Sequence, residues 1–198
     1  MKIKICGLSR IQDIEAVNLS SPDYIGFVFA KSKRQVKKEQ AKELKQKLNS
    51  DIKVVGVFVN EKIDQIVSLI KEGIIDMIQL HGTEDDNYII ELKKYVSCPI
   101  IKAIKVKGQD DFNDITMLAD FYLLDGVTPG SGKTFDWKLI QKLDKPFFLA
   151  GGINLTNIDE AMKIDCFGID ISSGVETDGK KDPLKIETIV RRVKDERR

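Results

Sequence analysis

Two side chains in this 198-residue sequence stand where acid–base chemistry could be done. Cys6 ends the run Lys2-Ile3-Lys4-Ile5 and is followed by Gly7. A thiol at a strand end can face a pocket and act as base or nucleophile, although most free cysteines are small buried hydrophobes. Asp125 closes the apolar run Phe121-Tyr122-Leu123-Leu124. A carboxyl there is partly desolvated, which suits a general acid; the alternative is a carboxylate that caps the following loop. His81, the sole histidine, sits in Gln79-Leu80-His81-Gly82 and is read as lining a pocket, not as the base. Cys98 and Cys166 stand at the starts of strand-like runs and are read as structural.

A second group of residues could bind anions. Ala150-Gly151-Gly152-Ile153 and Ser172-Ser173-Gly174-Val175-Glu176 both follow strand-like runs, and backbone N–H groups freed by glycine can wrap a phosphate. Gly130-Ser131-Gly132-Lys133-Thr134 ends like a nucleotide-binding P-loop, but Val127 stands where its first glycine belongs and Pro129 interrupts it. A mobile loop over a pocket is the better expectation. Residues 31–47 hold eight basic residues against two acidic ones. Most belong on the solvated face of an amphipathic helix. Arg34 precedes that helix, where its guanidinium could pair with a substrate carboxylate.

Composition narrows the class. Lys plus Arg number 32 and Asp plus Glu 31, a net charge of +1, which argues against a bulk polyanion binder. Three cysteines are too few for a disulfide scaffold. The chain opens directly on a strand-like run, so no signal peptide is expected, and no window approaches the roughly 18 apolar residues of a membrane span. A cytoplasmic protein is the expectation.

These residues need elements to position them, and the sequence alternates throughout. Short apolar runs at Lys2 to Cys6, Tyr24 to Phe29, Val54 to Val59, Met77 to Leu80, Ile100 to Ile104, Phe121 to Leu124, Phe147 to Ala150 and Gly168 to Ser172 read as strands. Most are continuous rather than alternating, as in strands covered on both faces of a parallel sheet. Helical periodicity lies between them: Ile11 to Leu19, Glu39 to Leu48, Ile63 to Ile70, Tyr88 to Val96, Phe112 to Leu118, Trp137 to Leu143, Ile158 to Ile164 and Leu184 to Val193. Asp136, Thr156 and Asp182-Pro183 are expected helix starts. Eight such units predict a single-domain (β/α)8 barrel of near-minimal size over residues 1–198; an open doubly wound sheet is the alternative. In a barrel, chemistry gathers at the carboxyl ends of the strands, where Cys6, Arg34, His81, Asp125 and the glycine pairs all fall.

The motifs Lys4-Ile5-Cys6-Gly7-Leu8, Gly26-Phe27-Val28-Phe29, Ser32-Lys33-Arg34, Gln79-Leu80-His81-Gly82, Leu124-Asp125, Gly132-Lys133-Thr134-Phe135-Asp136-Trp137, Ala150-Gly151-Gly152-Ile153 and Asp170-Ile171-Ser172-Ser173-Gly174-Val175-Glu176 occur in this order. Together they resemble the phosphoribosylanthranilate isomerase family of tryptophan biosynthesis, from Lys4 to about Lys181. Ser9 replaces the usual Thr, and the loop after Asp125 is somewhat short. The resemblance implies a cofactor-free and metal-free Amadori rearrangement of a small-molecule substrate. Asp125 would be the general acid, Cys6 the general base, and Arg34 the partner of the anthranilate carboxylate. Gly151, Gly152, Ser173 and Gly174 would cradle the phosphate, with His81 and Asp170 as further substrate-binding residues. No nucleic-acid or membrane partner is expected, and the protein is expected to be a monomer or homodimer. A Schiff-base enzyme on the same barrel would instead need a reactive lysine, for which Lys102 is the strand candidate.

Overall fold

A computed structural model describes residues 1–112, 118–126, 134–140, 143 and 145–196. Eight parallel strands form a closed barrel: β1 (Lys2–Cys6), β2 (Tyr24–Val28), β3 (Lys53–Phe58), β4 (Met77–Leu80), β5 (Ile100–Val106), β6 (Phe121–Gly126), β7 (Phe147–Leu149) and β8 (Gly168–Ile171). Each strand pairs with the next, and β8 returns to β1 with Lys4 opposite Asp170. That closing pair rules out the open sheet. A short hairpin of β9 (Glu176–Thr177) and β10 (Lys180–Lys181) follows β8.

The helices are α1 (Ile11–Ser20), α2 (Lys38–Gln46), α3 (Ile63–Lys71), α4 (Asp86–Lys93), α5 (Ile158–Ala161) and α6 (Pro183–Asp195). The helix expected from Trp137 opens as a 3-10 turn at Trp137–Leu139, and a further 3-10 turn, Gln109–Phe112, follows β5. Residues 113–117, nearly all of the helix expected at Phe112 to Leu118, lie outside the described residues, as do 141–142 and, in the P-loop-like segment, 127–133. Asp136 and Asp182 cap as expected, accepting from Lys138 N and from Leu184 and Lys185 N. Thr156 does not cap α5. Asn154 Oδ1 takes both its amide and its hydroxyl in a side-chain turn, which moves the helix start to Asn157.

The basic run at 31–47 is accounted for locally. Lys38 and Lys42 pair with Glu72 on the neighbouring unit, and Lys45 pairs with Asp76.

Strand alternation decides what reaches the interior. Ile3 and Ile5, Ile25 and Phe27, Leu124, and Ile169 and Ile171 point outward into the large core under the helices. The opposite parity fills the barrel. Val55, Met77, Ile101, Leu123, Phe148 and Ala150 form a separate apolar cluster, with Tyr24, Phe121 and Phe167 packed against it around Phe148. The same parity two residues further along each strand gives Cys6, Gln79, His81, Asp125 and Asp170 at the mouth cavity. The apolar layer is therefore the floor of the polar one. Replacing Phe148 by Ala is expected to lower unfolding free energy by about 3–5 kcal/mol through loss of burial and an unfilled cavity, measured by urea denaturation.

Candidate active site

The carboxyl ends of the strands surround a cavity of about 500 Å³. Cys6, Arg34, His81, Asp125, Gly151, Gly152, Asp170 and Ser173 all line it. Gly174 lies behind this wall: a Cβ there would strike the Ile153 carbonyl and Asn154. Cys6 (β1) and Asp125 (β6) stand three strands apart around the rim, so they can address different atoms of one bound molecule. Gly26 makes room for the thiol, since a Cβ on it would lie 2.6 Å from Cys6 Sγ.

Below the mouth, Lys4 is completely buried. Its ammonium bonds Asp170 Oδ1 at 2.9 Å and Gln79 Oε1 at 3.0 Å, and it also bonds Cys6. A buried cation is tolerated only when its protons are all taken, and three acceptors meet three donors. Burial pulls the Lys4 ammonium down, but Asp170 and Cys6 more than offset this and hold it above the ordinary lysine value. For Cys6 the balance goes the other way. Burial pushes the thiol up, Asp170 adds to this, and Lys4 and Lys181 only partly oppose it. The resting group is a thiol with two ammoniums ready to stabilise its anion. Gln79 continues the chain: its Nε2 lies 2.8 Å from His81 Nδ1, and His81 Nε2 lies 3.5 Å from Asp125 Oδ2.

Arg34 is already paired. Its Nε and Nη2 bond the two oxygens of Glu176 at 2.6 and 2.8 Å, which raises the guanidinium further above its ordinary value. The sequence reading left Glu176 out of the site. It is a bidentate partner that orients Arg34 through Nε and Nη2. Glu176 is in turn held by buried Lys181, which also bonds the Ser172 carbonyl. Burial raises the Glu176 carboxyl, but the Arg34 and Lys181 hydrogen bonds override it and bring it to about 2.

Across the mouth, Gly151 and Gly152 both adopt positive φ, 83° and 69°. At Gly151 a side chain would also meet Gly126 N at 2.6 Å and Asp125 Oδ1 at 2.9 Å. The bend brings backbone and Asp125 together beside the Ser173–Val175 turn. Asn154 and Asn157 tie the Gly152 carbonyl back with their side-chain amides. A phosphate fits such a backbone bend.

Lys102 is not a Schiff-base lysine of this cavity. Strand parity places it outside, where it bonds Glu84 and the Gly82 carbonyl, each at 2.8 Å. The fully buried strand lysine is Lys4, which sequence reasoning passed over. Glu84 also accepts from Asn60 N and Gly82 N, fixing the loops after β3 and β4. Cys98 and Cys166 precede β5 and β8, at the far end of the barrel, and burial pushes both thiols up to about 11. Among the described residues no group of three His, Cys, Asp or Glu could hold a metal ion, and no helix is long and apolar enough to cross a membrane.

A pocket of this make-up at the carboxyl-terminal mouth of a closed parallel barrel is the arrangement of a (β/α)8 enzyme. Residues 3–192 match the family model for N-(5'-phosphoribosyl)anthranilate isomerase. The N-(5'-phosphoribosyl)anthranilate isomerase of Endomicrobium trichonymphae is 48% identical over 194 residues, covering 95% of this chain and 96% of that protein. The phosphoribosyl anthranilate isomerase structure from Thermotoga maritima superposes with a TM-score of 0.86 at 33% identity, covering 98% of this chain and 99% of that one. Another, a phosphoribosyl anthranilate isomerase in complex with reduced 1-(o-carboxyphenylamino)-1-deoxyribulose 5-phosphate, superposes at 0.81 with 29% identity, covering 98% and 99%. This chain belongs to the N-(5'-phosphoribosyl)anthranilate isomerase family.

The Arg34–Glu176 pair gives a pH-dependent stability. Because the folded carboxyl titrates near 2 rather than the ordinary 4.5, its ionisation stabilises the fold fully above about 4.5 and is lost as pH falls toward about 2. Glu176→Gln lacks this contribution at every pH. Urea denaturation is expected to show a less stable variant at neutral pH, with the gap to the parent closing across that acidic window.

Proposed function

We propose that the protein catalyses the Amadori rearrangement of N-(5'-phosphoribosyl)anthranilate to 1-(2-carboxyphenylamino)-1-deoxyribulose 5-phosphate, a step of tryptophan biosynthesis. What carries this reading is a thiol and a carboxyl placed around one barrel mouth, in a chain of this family.

The substrate carries a carboxylate at one end and a phosphate at the other. Arg34 meets the carboxylate. The backbone around Gly151, Gly152 and Ser173, with Gly174 behind, receives the phosphate. This spans the ribose between Cys6 and Asp125.

Asp125 in its acid form gives a proton to the ribose ring oxygen. The C1′–O bond breaks as the anilino nitrogen forms a C=N bond, leaving a protonated Schiff base. Cys6, as thiolate, removes the proton from C2′. That electron pair forms C1′=C2′ and neutralises the nitrogen, giving an enolamine. Its hydroxyl proton is lost and C1′ is protonated, which yields the ketone. One proton leaves Asp125 and one arrives on Cys6, so the cycle resets by moving a single proton back. The substrate neither gains nor loses atoms or electrons overall, so the enzyme is an isomerase whose chemistry demands no redox partner. Lys4 and Lys181 supply the positive charge that the Cys6 thiolate needs at the proton-transfer step.

The test is turnover of freshly prepared phosphoribosylanthranilate, followed by loss of its fluorescence with the next enzyme consuming product. Cys6→Ser and Asp125→Asn are each expected to lower kcat by about 10²–10⁴-fold with the fold intact, the usual worth of a general acid or base. Full turnover in either variant would remove that residue from its role.

A further inference from the structure

The hydrogen bonds beneath the mouth fix a proton that sequence alone leaves undetermined. A lysine ammonium has donors and no acceptor. The Gln79 oxygen must therefore face Lys4, 3.0 Å away, and its amide NH2 must face His81 Nδ1, 2.8 Å away. Both Lys4 and Gln79 are buried, at 0% and 1% exposure, so no bulk water competes for these positions. Nδ1 has to present its lone pair to the amide. A proton there would set donor against donor at 2.8 Å. The ring proton consequently sits on Nε2, the nitrogen that points at Asp125 Oδ2.

We propose that Lys4 and Gln79 lock His81 as its Nε2–H tautomer, and that this N–H claims Asp125 Oδ2, leaving Oδ1 as the oxygen that carries the transferable proton. His81 is then a positioning residue for the acid, acting through Asp125. The proposal rests on the reading of Asp125 as the general acid.

The surroundings favour this division of the carboxyl. Oδ1 lies on the Gly151 side, where a Cβ would come within 2.9 Å of it and glycine leaves the approach open. The 3.5 Å separation of Nε2 and Oδ2 is longer than a hydrogen bond. Contacts of this kind commonly tighten only when substrate is bound. After the first proton transfer Asp125 becomes an anion, and an N–H already aimed at Oδ2 stabilises it without rearrangement. A histidine with the opposite tautomer would turn a lone pair toward that new charge.

The chain contains one histidine, so histidine-selective 15N labelling reports this ring alone. Two-bond 15N–1H correlation spectra of the native protein are expected to show the Nε2–H pattern. An Nδ1–H pattern would overturn the lock, and this measurement is independent of activity. Two substitutions then test what the N–H does. His81→Gln keeps an amide N–H near the place of Nε2, whereas His81→Asn keeps one only near Nδ1. His81→Asn is expected to lower kcat by about tenfold or more, with KM changed much less, while His81→Gln retains most of kcat. Equal loss in both variants, or full kcat in both, would refute the positioning role. Asp125→Asn, assayed in parallel, separates the two ideas. Its full activity would remove Asp125 as the acid, yet the tautomer spectrum would still stand or fall alone.

Discussion

The mouth of this barrel is organised around the buried ammonium of Lys4. Lys4 has no exposure to solvent, and an ammonium there is sustained only by the acceptors around it. Asp170 supplies the countercharge from the neighbouring strand, at the register position directly opposite Lys4. Cys6 supplies a sulfur two residues along the same strand. Gln79 supplies a neutral oxygen and passes the constraint to His81 and so toward Asp125. Removing one partner of a buried pair typically costs about 3–5 kcal/mol because the other charge is left stranded. The cluster is thus a constraint on geometry as much as a source of stability. Its hydrogen bonds run from Cys6 to His81, whose Nε2 stands 3.5 Å from Asp125 Oδ2.

A second buried lysine repeats the arrangement on the opposite side of Cys6. Lys181 is tied to Glu176, to the Ser172 carbonyl and, through Glu176, to Arg34. Ser172 in turn donates to the Cys6 carbonyl at 3.0 Å. The loop after β8, Arg34 and the strand of the thiol therefore share one polar network. The apolar layer of Phe148, Leu123, Ile101, Met77 and Val55 beneath it excludes water from the far side. This matters because the field of two ammoniums on one thiol is strong only where water cannot screen it.

The strands and their order were legible in the sequence because parallel strands covered on both faces are continuous apolar runs, and eight of them alternate with helical spacing. Strand-end residues such as Cys6, His81 and Asp125 stood out for the same reason: they are polar residues that terminate apolar runs. The helix of the sixth unit was not legible as it stands. Trp137 begins a periodic stretch, but Trp137–Leu139 forms only a 3-10 turn among the described residues. The Thr156 cap was misread because Asn154, two residues earlier, takes both hydrogen bonds of Thr156. Lys4, Gln79 and the role of Glu176 went unread as site features for a deeper reason. A polar residue inside a strand looks like an edge or solvent position until the barrel closes. There was nevertheless a signal. Lys4, Gln79 and Asp170 each lie two residues before a mouth residue (Cys6, His81 and Ser172), which in a strand means the same face one layer down. No such rule exists for Arg34 and Glu176, which are 142 positions apart and meet only through the closing β1–β8 pair.

Lys4 sets the state of the thiol, which the pH profile of kcat/KM in Lys4→Met puts to the test. The parent rate should rise with pH as Cys6 loses its proton, since the thiolate is the proposed base. Without the ammonium, burial and Asp170 act with less opposition and Lys181 alone pulls the thiol down. In a variant that still unfolds cooperatively, the account predicts that the rising limb moves to higher pH and that the neutral-pH rate falls. A folded Lys4→Met protein with the parent's profile would contradict it.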